Sequence, residues 1–260
     1  MTKTAILSLM LAILLPLAGY LTVKYYSKNA VQMPGRYFYD SVTISTEHGK
    51  TTSDTAWHHV RDIHFINQLG KDVHLYDLHG KVVLIDLFFT RCGTICPGMA
   101  RAMKKLQDSF RQNDSIVQFI SISVDPEHDS VSRLRKFADR FNINHDSWWM
   151  VTGDKKDIYD FAMHELKAGL ADTEVDSTFI HTSKMFLLDS NHVVRGFYDG
   201  LDSERQSKLV RDIPLLMLER DKKAPSVFRD FIPILPLIFV GIGIIVVMSV
   251  IFTRKKRKDG

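Results

Sequence analysis

Two long uncharged runs bracket the chain and constrain it more than anything between them. Residues 5–23, AILSLMLAILLPLAGYLTV, and residues 231–252, FIPILPLIFVGIGIIVVMSVIF, extend for 19 and 22 positions without an acidic or basic side chain. About 20 residues of helix cross the ~30 Å hydrocarbon core of a bilayer, where a backbone must satisfy its own hydrogen bonds. Both runs are therefore expected to be transmembrane helices. For the first, a cleaved signal peptide is the alternative. PLAG ends in small residues, but Leu17 fits poorly three positions before a cut after Gly19, and LAGY carries Tyr20 where a lipidated cysteine would stand. TRKKRK follows the second run directly, and cationic flanks stay cytoplasmic. The expected organisation is a cytoplasmic stub (1–4), an anchor helix (5–23), a tether (24–57), a globular domain (58–222), a linker (223–230), a membrane helix (231–252) and a basic cytoplasmic tail (253–260). That places the protein in the cytoplasmic (inner) membrane, its domain facing the periplasm and both termini inside.

The net charge of +4 belongs to the tail. Without Lys3, Asp259 and the five cations after Phe252, 28 basic residues face 29 acidic ones. A nucleic-acid binder carries its basic footprint on the domain itself, so nucleic acid is not an expected partner. The chain has two cysteines. That is too few for a disulfide framework, and a domain of this size needs no staple. Chemistry is the better use for them.

Between the runs, residues 24–57 are polar and read as an irregular tether. VRDIHFINQLGKDVHLYDLHGK alternates around Gly70 and Gly80 and suggests a hairpin of short strands. KVVLIDLFF is a continuous apolar run, as in a strand buried on both faces. Met99, Met103, Leu106 and Phe110 recur at helical spacing, SIVQFISISV reads as a second buried strand, and DSVSRLRKFADRF as a helix. WWMVTG is a short strand, and DKKDIYDFAMHEL a helix capped by Asp154. KMFLLDSNHVVRGFYDG is a hairpin turning at Ser190 and Asn191, followed by a last helix in DSERQSKLVRDIPLLMLE. Repeated βα units followed by a hairpin and a helix predict an α/β domain, a central mixed sheet covered by helices on both faces.

Both cysteines lie in TRCGTICPGM, Cys92 in a strand-to-helix loop and Cys96 next to the helix cap, with Pro97 in the first turn. Open α/β sheets place their sites at such junctions. Unpaired N–H groups at the helix start favour negative charge, which is expected to lower the thiol pKa. Gly93 lets the two sulfurs approach, as a disulfide or as a two-thiolate metal clamp. Thiolates suit Cu(I) or zinc. A structural zinc takes four protein ligands, whereas two thiolates and one imidazole make a three-coordinate site that suits copper. Eleven histidines are candidates. His58, His59 and His64 read as a solvated segment, and His74, His79 and His192 as surface residues. His128 and His145 fall in loops and His164 in a helix, while His181 sits at the start of a strand of the same sheet.

From about Asp62 to Leu218 the chain resembles the Sco/SenC family of membrane-anchored copper proteins. Four blocks carry the resemblance: GKDVHLYDLHGKVVLIDLFFTRCGTICP, ISISVDPEHDS, WWMVTGDKKDIYDFA and IHTSKMFLLD. A cysteine pair with three residues between and a proline after it is that family's signature. The resemblance implies a thioredoxin-like fold and a role in cytochrome c oxidase assembly. It also implies copper, as Cu(I) or Cu(II), on Cys92, Cys96 and His181. Asp125 matches a recurring aspartate, either a turn residue or a group beside the copper site that supports a ligand or docks a partner. Two departures stand out: Ile180 precedes the histidine where an acidic residue is common, and the second membrane helix is absent from the usual single-anchor layout.

Three functions are compatible with these residues. The first is a copper metallochaperone taking copper from a donor and passing it by ligand exchange to a cuproprotein, notably the subunit of cytochrome c oxidase that carries CuA. The second is a thiol–disulfide oxidoreductase using Cys92 and Cys96 as a redox pair, although thioredoxin-type enzymes place two residues between the cysteines. The third is a binding module in which the pair is a structural disulfide.

Overall fold

The computed structural model describes residues 3–27, 32–47, 50–171 and 182–219. The expected linker, second membrane helix and basic tail lie outside the described residues, as does His181. The chain divides into two units, one of them Met33–Glu219. In the other, the first apolar run forms a single helix, α1 (Lys3–Ser27). Its described side chains Leu14, Leu15, Leu17 and Leu21 are all exposed. Among the described residues no helix is long and apolar enough to cross a membrane; the side chains of residues 3–9 and 11–13 are not among them.

The expected irregular tether is largely an antiparallel ribbon, β1 (Tyr39–Glu47) against β2 (Lys50–Trp57), with Ile44 opposite Ser53 and Thr46 opposite Thr51. Threonine, valine and isoleucine recur there, and branched side chains fit a pleated surface better than a coil. The ribbon is a sheet of its own. The domain also begins earlier than residue 58, since Tyr37 donates its N–H to the Val194 carbonyl at 2.9 Å.

The main sheet starts with the expected hairpin, β3 (His64–Asn67) and β4 (Asp72–His74), followed by a 3-10 turn over Leu75–Leu78. Then come β5 (Val82–Phe88), α2 (Cys96–Ser109), β6 (Val117–Ser123), α3 (Val131–Arg140) and β7 (Trp148–Thr152). Next is α4 (Lys155–Asp160), capped by Asp154, which accepts the Asp157 N–H at 3.1 Å. It runs into a π-turn (Phe161–Glu165) and a short α5 (Ala168–Ala171). The hairpin β8 (Lys184–Leu188) and β9 (Val194–Asp199) leads to α6 (Ser203–Met217).

Strand order is β4-β3-β7-β6-β5-β8-β9. β5, β6 and β7 are parallel, and the other pairings antiparallel. Alternate residues of β5 feed two cores. Val82, Leu84 and Phe88 meet side chains from α2, α3 and α6, whereas Val83, Ile85 and Leu87 meet Ile158 of α4 and Phe161 of the π-turn. A strand covered on both faces cannot alternate with polar residues, which is why KVVLIDLFF is continuous.

Two features lie at the pole where β5 begins. The β8–β9 turn carries His192, expected on the surface but fully buried, with φ 59. It stacks on His79 at 4.4 Å between ring centroids and lies 5.5 Å from Tyr76, so the turn folds its imidazole beneath those rings. Neither of its ring nitrogens makes a well-formed hydrogen bond among the described residues. Nearby, Arg195 is 3% exposed and ties four groups together. Its Nη1 donates to Asp189 at 2.9 Å and to Glu219, and its Nη2 and Nε donate to the carbonyls of Pro34 (2.6 Å) and Gly35 (3.1 Å).

Gly196 allows the closest side-chain approach in β9. A Cβ there would lie 2.6 Å from the Tyr198 ring, and that ring is pinned because its hydroxyl donates to Asp212 at 2.6 Å. Gly196→Ala is therefore expected to destabilise by about 1–3 kcal/mol through overpacking. The urea midpoint measures it, and an unchanged midpoint would show the ring free to move.

Candidate metal centre

The cysteine loop exists because β5 ends at Phe88 and α2 begins at Cys96. Ile95 occupies the N-cap without a side-chain hydrogen bond, and Pro97 follows in the first turn. The capping role falls to sulfur: Cys92 Sγ accepts the Cys96 N–H at 3.4 Å and lies 3.5 Å from Thr94 Oγ1. No disulfide joins the two cysteines, and both are buried, at 7% and 2% exposure.

The expected lowering of the thiol pKa is not found at Cys96. Burial pushes its thiol well above the ordinary range, helped by its hydrogen bond with Cys92, while the Phe89 backbone pulls only partly the other way. A helix N-terminus contributes about half an elementary charge, and desolvation outweighs it.

Two loops close around the pair. The Val124 N–H bonds to the Phe88 carbonyl at 2.9 Å, laying the β6–α3 loop beside the cysteine loop. Asp125 is 5% exposed; its Oδ2 accepts from Arg91 Nε at 2.6 Å, and its Oδ1 lies 2.9 Å from His128 Nδ1. Asp125 thus grips the residue next to Cys92, and His128, expected to have no neighbour of interest, shares that carboxyl. Asp129, four residues on, accepts from the Thr90 N–H at 3.0 Å, the Thr90 hydroxyl at 2.5 Å and the Ser123 hydroxyl at 2.6 Å.

Beneath α2, Asp86 interrupts the apolar face of β5. The Ser121 hydroxyl donates to it at 2.5 Å and in turn accepts from Trp148 Nε1 at 2.9 Å. Burial pushes the Asp86 carboxyl up to about 7, against the pull of Ser121 and its own backbone. Thr90, Arg91, Asp86 and Asp129 escaped the sequence reading. For Asp86 a signal was present, a lone carboxylate inside a strand otherwise apolar. For Asp129 it was only a second aspartate in VDPEHD.

His181 lies outside the described residues, but the strand after it is well placed. β8 is antiparallel to β5, with Met185 opposite Asp86, so β8 begins at the end of β5 from which the cysteine loop departs. That start is tied down. Asp199 accepts from the Ser183 hydroxyl at 2.9 Å and from Lys184 Nζ at 3.1 Å, and the Gly200 N–H bonds to the Ser183 carbonyl at 2.8 Å. Among the described residues no three histidine, cysteine, aspartate or glutamate groups gather as a metal cage. The two thiols fit a soft ion as a pair that needs a third donor.

Comparison with known proteins agrees with this architecture. The SCO1/SenC family model matches residues 51–217. The SCO1 protein homolog of Bacillus subtilis (strain 168) is 34% identical over 166 residues, covering 64% of this chain and 86% of that protein. The solved structure of a SCO1/SenC family lipoprotein from Bacillus anthracis str. Ames is similar with a TM-score of 0.54 and 32% identity, over 62% of this chain and 95% of that one. That of BsSco, described as a member of the Sco family of cytochrome c oxidase assembly proteins with a disulfide switch, gives 0.54 and 33%, over 63% and 96%. The match spans the whole thioredoxin-like sheet and both cysteines, and with it the chain takes its place in the SCO1/SenC family.

Proposed function

We propose that this domain carries copper on Cys92, Cys96 and His181 and delivers it by thiolate exchange to a cuproprotein, the CuA site of cytochrome c oxidase. The observation that carries this reading is a pair of buried thiols, not joined by a disulfide, after the end of β5, with the strand that follows His181 beginning at that same end. Assembly of cytochrome c oxidase is the role named for its relative BsSco. Anchoring is part of the proposal. Residues 5–23 carry no charge and lie within one helix whose described apolar side chains are exposed, and residues 231–252 repeat the pattern before a basic tail. The domain then faces the periplasm, with both termini cytoplasmic.

In this reading Asp125, through Arg91, steadies the loop beside Cys92. Copper analysis of the reduced protein after dialysis tests the proposal. Stoichiometric copper is expected in the wild type, with affinity lower by on the order of tenfold or more in His181→Ala and retention lost in Cys92→Ser and Cys96→Ser. Equal copper in wild type and His181→Ala would remove the histidine from the site.

A second reading, a tethered thiol–disulfide oxidoreductase, is favoured by the 3.4 Å contact of the Cys96 N–H with Cys92 Sγ, which holds the two cysteines side by side. In that reaction both thiols become one disulfide while the partner's disulfide becomes two thiols. It needs no histidine, so reductase activity that survives His181→Ala in a protein that retains no copper would favour it.

A further inference from the structure

Asp129 touches neither cysteine, yet every hydrogen bond described for its side chain leads to their loop or to the strand end beside it. It is completely buried, and among the described residues no cation pairs with it; the nearby Arg91 is taken by Asp125. Burying a carboxyl without a cation is costly unless hydrogen bonds satisfy its oxygens. Here they do. Oδ1 accepts from the Thr90 hydroxyl, and Oδ2 from both the Thr90 N–H and the Ser123 hydroxyl. Three donors converge on two oxygens, and alanine removes both oxygens. Asparagine would keep the oxygen that serves the Thr90 N–H and Ser123 and turn the third bond around, its NH2 donating to the Thr90 hydroxyl oxygen, so it is the mild variant.

Beyond Thr90 the loop is held by Asp125 on Arg91 and by the Cys92 N–H on the Phe89 carbonyl, so Thr90 and Arg91 are its two carboxylate anchors. Arg91, Gly93 and Thr94 are exposed, and a Cβ on Gly93 would meet nothing within 4 Å. We propose that Asp129 is a positioning residue of the cysteine pair: by fixing Thr90, two residues before Cys92, it holds Cys92 Sγ over the Cys96 N–H. The inference rests on the copper reading for its ligand, and on geometry alone for the placement of the two sulfurs. A loop released from Asp129 samples more conformations, and each ordered contact then costs more entropy to form.

The test uses the full-length reduced protein and three readouts: Cu(I) affinity by competition with a Cu(I) chelator, the dithiol–disulfide equilibrium of Cys92 and Cys96 against glutathione, and thermal unfolding. In that equilibrium one glutathione disulfide becomes two glutathione thiols as the protein's two thiols become its disulfide. Asp129→Ala is expected to weaken Cu(I) binding on the order of 10–100-fold, the usual effect of losing a partner that orients a metal ligand. It is also expected to shift the glutathione equilibrium constant by about tenfold or more, a change of about 1.4 kcal/mol. Thr90→Val, which keeps the volume and the backbone N–H but removes one donor, falls between.

A purely structural role would lower the melting temperature and leave both constants at wild-type values, and that result in a folded Asp129→Ala overturns the proposal. Should Asp129→Ala not fold, wild-type values of both constants in Thr90→Val overturn it instead. If the wild type binds no copper, the copper reading fails by itself. The glutathione equilibrium then decides the role of Asp129 alone, a wild-type constant overturning it and a shifted one supporting it.

Discussion

Replacing Arg195 with methionine is expected to remove about 3–5 kcal/mol of folding stability, the range found when one member of a buried ion pair is deleted. The side chains of Arg195 and Asp189 are 2% and 5% exposed, so neither has water to fall back on. Methionine fills much of the same volume but donates nothing. Asp189, Glu219 and the carbonyls of Pro34 and Gly35 all lose a donor at once. Asp189 keeps two others, the N–H groups of Asn191 and Val193 at 3.0 Å each, so the β8–β9 turn is expected to survive locally. Urea unfolding of the two proteins measures the difference. A loss below about 1 kcal/mol, the level of an ordinary surface pair, would show that the cluster repacks around water.

The second large effect is a pair of opposed pH dependences. Burial, reinforced by His79, pushes His192 down to about 4 from 6.5, against the opposing pull of the Leu78 backbone, Asp189 and Asp62. The unfolded chain therefore takes up a proton that the folded one refuses. Stability from this group is full above 6.5 and falls as pH drops toward 4, by up to about 1.4 kcal/mol per unit. Asp86 works in reverse. With its carboxyl pushed up to about 7 from 3.8, the folded state keeps a proton that the unfolded state releases, so stability is lost as pH rises through that interval.

Glu165 and Asp199 are both held low. In each, burial is outweighed by hydrogen bonds and a cation, from Arg61 for Glu165 and from Leu201, Ser183 and Lys184 for Asp199. Their contributions disappear only below the ordinary carboxylate values of 4.5 and 3.8. From about pH 4.5 to 6.5 the wild type is thus expected to be nearly flat, two slopes of about 1.4 kcal/mol per unit cancelling. Asp86→Asn exposes the histidine slope, with stability falling on acidification. His192→Asn, chosen because asparagine tolerates positive φ, exposes the aspartate slope, with stability falling toward neutrality. Urea titrations at a series of pH values separate them. A wild type as steep as either variant would show that one of the two groups titrates normally.

Much of the fold was legible because local signals and tertiary demands agree. β5 and β6 could be read from unbroken apolar runs, since only a strand covered on both faces permits them. Asp154 announced α4 because a capping carboxyl acts within its own turn. What stayed hidden depends on distant parts of the chain. Asp129 reaches back 39 residues to Thr90, and Asp125 reaches back 34 to Arg91. A sequence window sees either end as an ordinary loop.

His192 looked like a turn residue, and it is one; that its ring is covered follows from the separate turn bearing Tyr76 and His79. The thiol of Cys96 was judged by its helix terminus, the only electrostatic term visible in sequence, whereas the burial that decides its pKa comes from packing. Residues 39–57 were misread for a different reason: polar side chains disguised a branched, strand-forming stretch.

The meeting of chain entrance and exit on Arg195 also decides how the domain bears mechanical load. Tension applied between Pro34 and Glu219 closes across two guanidiniums, Arg195 and Arg36, at the pole where β5 begins. The path of force bypasses β5 and never reaches the opposite end, where Cys92 and Cys96 sit. A pull between those two ends is therefore expected to be taken up by these two arginines before it disturbs the geometry of the two sulfurs.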